Sequence, residues 1–420
     1  MAKKIDKLQD QFFASCPTGL EDLLLKEVKQ LDCKTIEKTK GGIHFQTHTQ
    51  NALELMLLSR IASRIYKKAY QFEIKIEKDL YFFAKEIKWK GLIDLDQTFK
   101  ISVVQSMSKD GKKRSQYKSS MFLAQNLKDG IVDRYREDAD GERPSVDKEN
   151  PDMNLLLHVQ PNVNEFSVKE TVTILIDMCG SPLNQRGYRD TNFSAPLKEN
   201  LAAGLVMLSG YTGKQNFLDP MCGSGTIIIE SLLIKGNIPP SYLAIHEILE
   251  NSEENYWSFM GHNWFKKDKY LTAEWAELLK KYLEKARDGF DNLEKATAKT
   301  FASDSDKYAL NASRFNLKAA DLFEFTELST QDATTIELTD IESGIIVTNP
   351  PYGERIGEDE DLPQLYYDFG ENLKKNFKGF KAYIFTGELP LIKKISLRTS
   401  KKHILYNGNI EARLVEYDLF

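Results

Sequence analysis

Residues 217–236 constrain the fold of this 420-residue chain more than any other stretch. Phe217-Leu218-Asp219 reads as a strand. Pro220 to Gly225 reads as a glycine turn, and Thr226 to Lys235 as a very apolar helix with Gly236 at its C′ position. A strand, a glycine turn and a buried helix in that order are the opening unit of an open α/β sheet. The stretches on either side continue the alternation. A helix is expected from Leu197 to Ser209, a strand at Thr300–Ser303, a helix at Lys307–Asn316 and a strand at Gly344–Thr348. Leu362, Leu365, Tyr366, Phe369, Leu373 and Phe377, spaced by three and four, mark an amphipathic helix. Ala382–Phe385 reads as a strand, and the tail around Asn407-Gly408-Asn409 as a β-hairpin. The whole predicts a mostly parallel α/β sheet with an antiparallel edge. Residues 237–299 read as a helical insertion.

The N-terminal half has a different pattern. A strand at Phe12–Ser15, a helix with Leu20, Leu23, Leu24, Val28 and Leu31 on one face, a strand at Gly42–Gln46 and a helix at Asn51–Ile65 suggest a small α+β unit over residues 1–68. Residues 69–178 form a second unit. It has strands at Phe99–Val104, Asn154–Val159 and Val172–Ile176, and a helix bearing Met121, Leu127, Ile131 and Tyr135. Residues 179–196 show no period and read as a linker to the domain at 197–420.

Composition narrows the function. No run of about 18 apolar residues is present, so a membrane span is not expected. Met1 to Asp6 is charged and precedes no apolar stretch, which predicts no signal peptide and a cytoplasmic chain. The four cysteines, Cys16, Cys33, Cys179 and Cys222, form no C-x-x-C pair and suit reduced thiols. His44 and His48 are four apart but fall on and after a strand, so no metal site is expected. A net charge of −5 argues against indiscriminate coating of nucleic acid, though not against a local basic patch.

The run Asp219-Pro220-Met221-Cys222-Gly223-Ser224-Gly225-Thr226 places glycines and a helix N-terminus where a ligand anion can approach the backbone. A dinucleotide pyrophosphate and the methionine carboxylate of S-adenosylmethionine both fit. The dinucleotide fingerprint needs a third glycine at 228, where this chain has Ile228. Asp304, ending the next strand, can accept ribose hydroxyls, or can cap the following helix, a task Asp306 can share. It lies much further on than the roughly 20 residues of the dinucleotide fold. Asp321 stands where a further strand would end and can accept an adenine amine. Cys222 can be a nucleophile for pyrimidine C5 methylation or a small filler inside the turn; its place in the turn favours the filler.

Asn349-Pro350-Pro351-Tyr352 follows the strand Ile345–Thr348. Two prolines set the turn and remove two backbone donors, which leaves carbonyls and the Asn349 amide oxygen as acceptors. An exocyclic base amine is a poor nucleophile because its lone pair is delocalised into the ring. Acceptors on its hydrogens turn that lone pair toward an electrophilic methyl and stabilise the charge that develops. Tyr352 offers a face for an extracted base. The alternative is a plain proline-rich turn. In the N-terminal half Lys109, Lys112, Lys113, Arg114 and Lys118 cluster around Tyr117 and can contact RNA or be a solvated loop. Arg186 and Arg189, flanking Tyr188, can touch RNA or lock the hinge.

Taken together these motifs resemble those of the THUMP-domain class I RNA methyltransferases, in particular the guanine-N2 methyltransferases of large-subunit (23S) ribosomal RNA in single-module form. The likeness covers nearly the whole chain. It is carried by Phe13-Ala14, Gly19-Leu20-Glu21, Gln185-Arg186-Gly187-Tyr188-Arg189, Ala195-Pro196-Leu197-Lys198-Glu199, Leu218–Thr226, Ser303–Asp306 and Asn349-Pro350-Pro351-Tyr352-Gly353-Glu354-Arg355. It implies a Rossmann-like α/β class I methyltransferase domain behind an α+β ferredoxin-like and THUMP half that binds RNA. It implies S-adenosylmethionine as cofactor, bound by Ala195, Pro196, Asp219, Met221, Cys222, Gly223, Gly225, Thr226, Asp304 and Asp321. Asn349, Pro350, Pro351 and Tyr352 would hold the base. The expected partner is RNA, 23S ribosomal RNA or a large-subunit precursor, with no membrane and no metal. Some members carry a second module for N7-methylguanosine. The chain ends at Phe420, so that activity is not expected of it. Two rival functions remain open at this point: N6-adenine methylation of DNA or RNA, and a non-catalytic ribosome-assembly factor.

Overall fold

The computed structural model describes residues 6–7, 10–108, 111, 114–164, 167–189, 197–251, 255–352 and 361–420. In the C-terminal half seven strands form one sheet. They are β1 (Phe217–Asp219), β2 (Thr300–Asp304), β3 (Glu327–Thr330), β4 (Ile345–Thr348), β5 (Lys381–Thr386), β6 (Lys401–Asn407) and β7 (Ile410–Asp418), in the order β3-β2-β1-β4-β5-β7-β6. The five strands from β3 to β5 are parallel, and β7 pairs antiparallel with both β5 and β6. The expected mostly parallel sheet with a closing hairpin is therefore observed. Chain order reverses between β1 and β4, and in open α/β sheets ligands bind at that crevice, beyond the carboxyl ends of the strands.

Helices cover both faces. On one lie α1 (Thr226–Lys235) and α3 (Lys307–Ala319), sharing a core with Val347 and Phe385. On the other lies α4 (Leu362–Asn376), whose Tyr366, Phe369 and Leu373 pack on Ile346, Ile384 and Tyr417. The long helix of residues 269–295, here α2 (Lys269–Lys295), lies within the 237–299 segment, between α1 and β2 in sequence. That segment is helical, as expected. It also docks the two halves, because Gln50 donates to Glu274 at 2.5 Å, and Lys281 and Tyr282 both meet Glu54.

Among the described residues, the strands of the N-terminal half join in one sheet of nine. Its path is Thr35–Thr39, Gly42–Gln46, Gln11–Ser15, Arg64–Ile74, Ser167–Asp177, Met153–Asn164, Thr98–Gln105 and Ser145–Val146, with Asp6–Lys7 added beside Arg64–Ile74. The strand Arg64–Ile74 passes through the position expected as a boundary at 68/69. The helix expected to reach Ile65 stops at Leu58. Glu27 accepts hydrogen bonds from the Ser59 hydroxyl at 2.5 Å and the Arg60 amide at 3.0 Å, and this turns the chain out into the strand. The first helix ends at Val28, short of Leu31.

A buried ionic junction binds the halves together. Glu230, in the middle of α1, is fully buried, and Arg186 approaches it at 3.5 Å. Arg186 also donates to the carbonyls of Leu183 (2.7 Å) and Arg60 (2.8 Å), while Arg60 donates to the carbonyls of Leu233 (3.0 Å) and Ile238 (2.7 Å). Tyr188 donates to Glu230 at 3.3 Å, and Arg189 pairs with Glu199 at 3.1 Å. Removing one partner of such a pair leaves an uncompensated charge and costs about 3–5 kcal/mol. Arg186→Ala should lower stability by roughly that amount, and Arg186→Met with Glu230→Leu should recover most of it, read by urea unfolding. Burial raises the Glu230 carboxyl above its usual value, and loss of Arg186 raises it further. A carboxyl raised in the folded state favours folding at low pH and loses that advantage as pH rises, so the Arg186→Ala deficit should be larger at pH 8 than at pH 5. A deficit that does not vary with pH would contradict this assignment.

Candidate active site

Asp219 ends β1 and is buried, with 1% of its surface exposed. Thr348, ending β4, donates to its Oδ1 at 2.7 Å, so the two strands that flank the crevice are tied at their carboxyl ends. The Met221 amide donates to the same oxygen at 3.2 Å. Burial pushes the Asp219 carboxyl up to about 7, against the pull of these two hydrogen bonds.

The turn after Asp219 is held with its carbonyls turned inward. Ser313 of α3 donates to the Gly223 carbonyl at 2.6 Å and Asn316 of α3 to the Ser224 carbonyl at 2.8 Å. The Gly223 amide donates to Asp304 Oδ2 at 2.9 Å. Gly225 is the N-cap of α1 in the left-handed region (φ +80°), and a Cβ there would meet Ser313 at 3.1 Å, so only glycine fits. Gly223 is also left-handed (φ +54°), with open space where its Cβ would stand. No side chain caps α1, so the amides of its first turn, from Thr226 on, face the crevice as donors for an anion. Cys222 sits inside the turn, 3.6 Å from Ser313 Oγ, and burial pushes its thiol well up. A thiol so buried and raised suits packing inside the turn rather than attack on a substrate.

Asp304 ends β2, and its other oxygen accepts the Asp306 amide at 3.0 Å. Capping of α3 falls to Asp306, which accepts the Tyr308 amide at 2.8 Å. Asp304 is left facing the crevice, its carboxyl raised first by burial. Asp321 is not at a strand end. It occupies the C′ position of α3 at φ +51°, its amide bonded to Lys318 and the Leu322 amide to Leu317, which is a Schellman closure. The strand expected to end there starts only at Glu327 and ends at Thr330. The carboxylate beyond that end is Asp332, held by Thr334 at 2.7–2.8 Å on the same edge as Asp304. Its signal in the sequence is the run Leu328–Thr330 followed by Gln331-Asp332.

Asn349 leaves β4 at the crevice, and its Oδ1 is buried without a hydrogen-bond partner among the described residues. Pro350 is buried, and the Pro351 carbonyl accepts from Tyr366 at 3.3 Å. The acceptor set is thus narrower than the motif suggests, because one of its carbonyls is already engaged. Tyr352 accepts from Asn407 of the hairpin at 3.2 Å, and its ring lies so close to Gly387 that a Cβ there would come within 3.0 Å.

The expected RNA contacts fare differently. Tyr117 is 7% exposed in the core of the second unit, and Tyr188 and Arg186 are buried in the junction, so these three do not face RNA. Arg189 is engaged with Glu199 and the Leu197 carbonyl, which makes it a hinge lock. Residue type alone does not separate an arginine for phosphate from one for a buried carboxylate. Arg114 and Lys118 are exposed. Lys109, Lys112, Lys113, Ala195, Pro196 and the Gly353-Glu354-Arg355 extension lie outside the described residues. His44 packs on Phe13 at 4.6 Å between ring centroids, and His48 is exposed.

The strand order, the glycine turn and the acid at the end of β2 define a class I methyltransferase domain. Residues 186–416 match the family described as RMKL-like, methyltransferase domain, and the chain belongs to that family. Residues 11–66 match the RlmL ferredoxin-like domain and residues 75–169 the THUMP domain. Proteins named ribosomal RNA large subunit methyltransferase K/L are 33% identical over 416 residues in Syntrophotalea carbinolica and 34% over 422 in Desulfotalea psychrophila. These alignments cover 97% and 98% of this chain and 53% of either relative. The chain thus spans about half the length of these relatives. Among solved structures, a Clostridium difficile 630 protein described as a possible methylase is 26% identical with a TM-score of 0.77 over 99% of each chain. SMU.472, solved in complex with SAH, has a TM-score of 0.77 at 23% identity, over 100% of this chain and 99% of that one. Among the described residues no helix is long and apolar enough to cross a membrane.

A thiol titration checks the reading of the turn. Cys16, Cys179 and Cys222 are buried and their thiols raised; Cys33 is half-buried, and burial raises its thiol as well. Toward a disulfide reagent at pH 8 the folded protein should react first at Cys33, the most exposed of the four, and all four should react once unfolded in guanidinium. Prompt labelling of Cys222, located by peptide mapping, would reinstate it as a nucleophile.

Proposed function

We propose that this chain is an S-adenosylmethionine-dependent RNA methyltransferase acting on the exocyclic N2 amine of a guanosine in 23S ribosomal RNA or its precursor, in the cytoplasm. The observation that carries the reading is the Asn349 Oδ1 at the crevice, buried and without a hydrogen-bond partner among the described residues. A buried acceptor left unmade costs about 1–3 kcal/mol. A base amine donated to it offsets that cost only when substrate is bound. The names of the K/L relatives and the THUMP match favour ribosomal RNA as the source of that amine. For the architecture we propose units at 1–68, 69–178 and 197–420 joined by 179–196, with the strand Arg64–Ile74 serving both of the first two.

The residues fit the cofactor, and the neighbour solved with SAH adds support. The first-turn amides of α1 suit a carboxylate, and buried Asp219 suits an ammonium, the two charges of its methionine end. Asp304 keeps lone pairs beyond those taken by Gly223 and Asp306 and can accept the ribose hydroxyls. We assign the adenine amine to Asp332 in place of Asp321. The bound cofactor supplies an electrophilic methyl group. Asn349 orients the amine lone pair toward it and stabilises the charge that develops on nitrogen. Tyr352, braced by Asn407, stacks on the extracted base. Asn349 is no base at neutral pH, so the amine proton leaves to solvent after transfer.

Asn349→Ala should keep cofactor affinity within about twofold while turnover falls by roughly 10²–10³, the usual effect of removing one such electrostatic interaction. Equal losses in the two would refute its role. Asp304→Ala should instead weaken cofactor binding first. Cofactor binding also has a pH signature. Asp219 titrates near 7 and must be ionised opposite an ammonium, so the dissociation constant should rise about tenfold per unit as pH falls below 7 and be flat above it. Calorimetry from pH 5.5 to 8.5 reads this. Mass spectrometry of ribosomal RNA nucleosides from cells with and without the protein tests the product. Loss of N2-methylguanosine supports the reading, loss of N6-methyladenosine transfers it to adenine, and no change with intact cofactor binding favours a non-catalytic assembly factor.

A further inference from the structure

Helix α3 has two faces with different chemistry. Its inner face holds the cofactor turn through Ser313 and Asn316. On its outer face Lys307, Asn311, Arg314 and Lys318 fall in one row by helical spacing, with Tyr308 and Phe315 beside them, seven residues apart. All six are exposed, Tyr308 at 82% and Phe315 at 55%. The helix carries three cations and no acidic residue, in a chain of net charge −5. Acids occur only at its ends, at Asp306, Asp321 and Glu324.

A face that serves only solubility looks otherwise. On α2 and α4 several lysines are matched by carboxylates: Lys280 by Glu277, Lys281 by Glu54 and Lys374 by Glu371. On α3 none of the three cations is ion-paired among the described residues. Arg314 rests on Asn311 at 3.1 Å and Lys318 lies 5.3 Å over the Phe323 ring. Two large rings standing in water among cations have the chemistry that stacked bases and phosphates require. Beside the row, a concavity of about 230 Å³ runs between Lys307, Asn311 and Arg314 and the strand β3 at Leu328–Thr330, the outer edge of the sheet. The N-terminal end of the row adjoins Asp304 at the rim of the cofactor crevice.

We propose that the outer face of α3, with the groove along β3, is an RNA-docking surface of the methyltransferase domain. It would take a single-stranded segment next to the target base, its phosphates on Lys307, Arg314 and Lys318 and its bases against Tyr308 and Phe315. The proposal rests on the reading of the chain as an RNA methyltransferase. Single-stranded RNA fits better than duplex because rings stack only on unstacked bases. A protein strand added to β3 fits less well, since β3 has only four residues to pair.

The test uses the full chain and fluorescent single-stranded RNA oligonucleotides, with Arg314→Glu/Lys318→Glu and Tyr308→Ala/Phe315→Ala as variants. Lys307 is left in place because it adjoins the cofactor rim. Each pair should weaken RNA binding about tenfold or more, and the charge pair should make the log K against log salt slope shallower by about 0.7 for each phosphate no longer neutralised. Cofactor affinity by calorimetry should stay unchanged, which shows that α3 still holds the turn. Tyr308→Phe with Arg314→Lys should keep most of the RNA affinity. Unchanged RNA affinity and salt slope in both pairs, with the native chain binding RNA normally, overturns the docking surface and leaves the RNA-methyltransferase reading standing. The same follows if the variants lose only a protein partner. If the native chain binds cofactor but no RNA, the broader reading fails and the docking surface with it.

Discussion

Glu230 is a carboxylate in the middle of the helix that presents the cofactor turn, without contact with water. An isolated buried carboxylate would take up a proton or push the helix outward. Arg186, Tyr188 and the nearby Arg60 instead hold it in place, and these residues belong to the linker and the N-terminal half. The pair need not add net stability over apolar residues of the same volume. What it adds is position. The same guanidinium that meets Glu230 also meets the Arg60 carbonyl, so the N-terminal sheet and the cofactor helix share one register. The orientation of the N-terminal half toward the methyltransferase domain is thereby set by groups that tolerate little misalignment.

The crevice shows a related trade. Its walls are over-determined: Thr348 ties β4 to Asp219, Asp304 ties β2 to Gly223, and α3 ties the turn carbonyls. Two of the groups that line it are left unsatisfied, with Asn349 Oδ1 unpartnered among the described residues and α1 without a side-chain cap. Unmet donors and acceptors persist in a fold only where the surroundings hold them. Here they are arranged as the complement of a carboxylate and an amine.

Much of this is legible in the chain because it depends on local order. A strand, a glycine turn and a helix follow one another at 217–235, and Asn349-Pro350-Pro351-Tyr352 directly follows a strand. What is not legible depends on distant contacts. Arg186, Tyr188 and Tyr117 have the residue types of an RNA surface, and only tertiary packing shows them buried. Asp321 misleads because Ala319-Ala320-Asp321-Leu322 looks like a strand end, whereas Leu322 is the buried residue that closes a Schellman turn. The strand Arg64–Ile74 is hidden in the sequence because a bulge between Lys68 and Tyr70 breaks its alternation.

The gap between the glycine turn and Asp304 is the most instructive of these cases. Spacing along the chain favours neither cofactor reading for the acid, since residues 237–299 intervene. In space the gap does not exist. Phe217 pairs with Thr300 and Asp219 with Ala302, so the register of β1 on β2 places Asp304 within 2.9 Å of the Gly223 amide however long the crossover is. A parallel crossover can lengthen freely, because closure entropy grows only slowly with loop length and the extra residues lie outside the strand ends. The inserted helix α2 uses that freedom to bind the N-terminal helix at Gln50 and Glu54. One long crossover therefore leaves the cofactor geometry untouched and supplies part of the contact that orients the N-terminal half. Spacing rules fail at such crossovers because sheet register, rather than residue count, fixes where the acid stands.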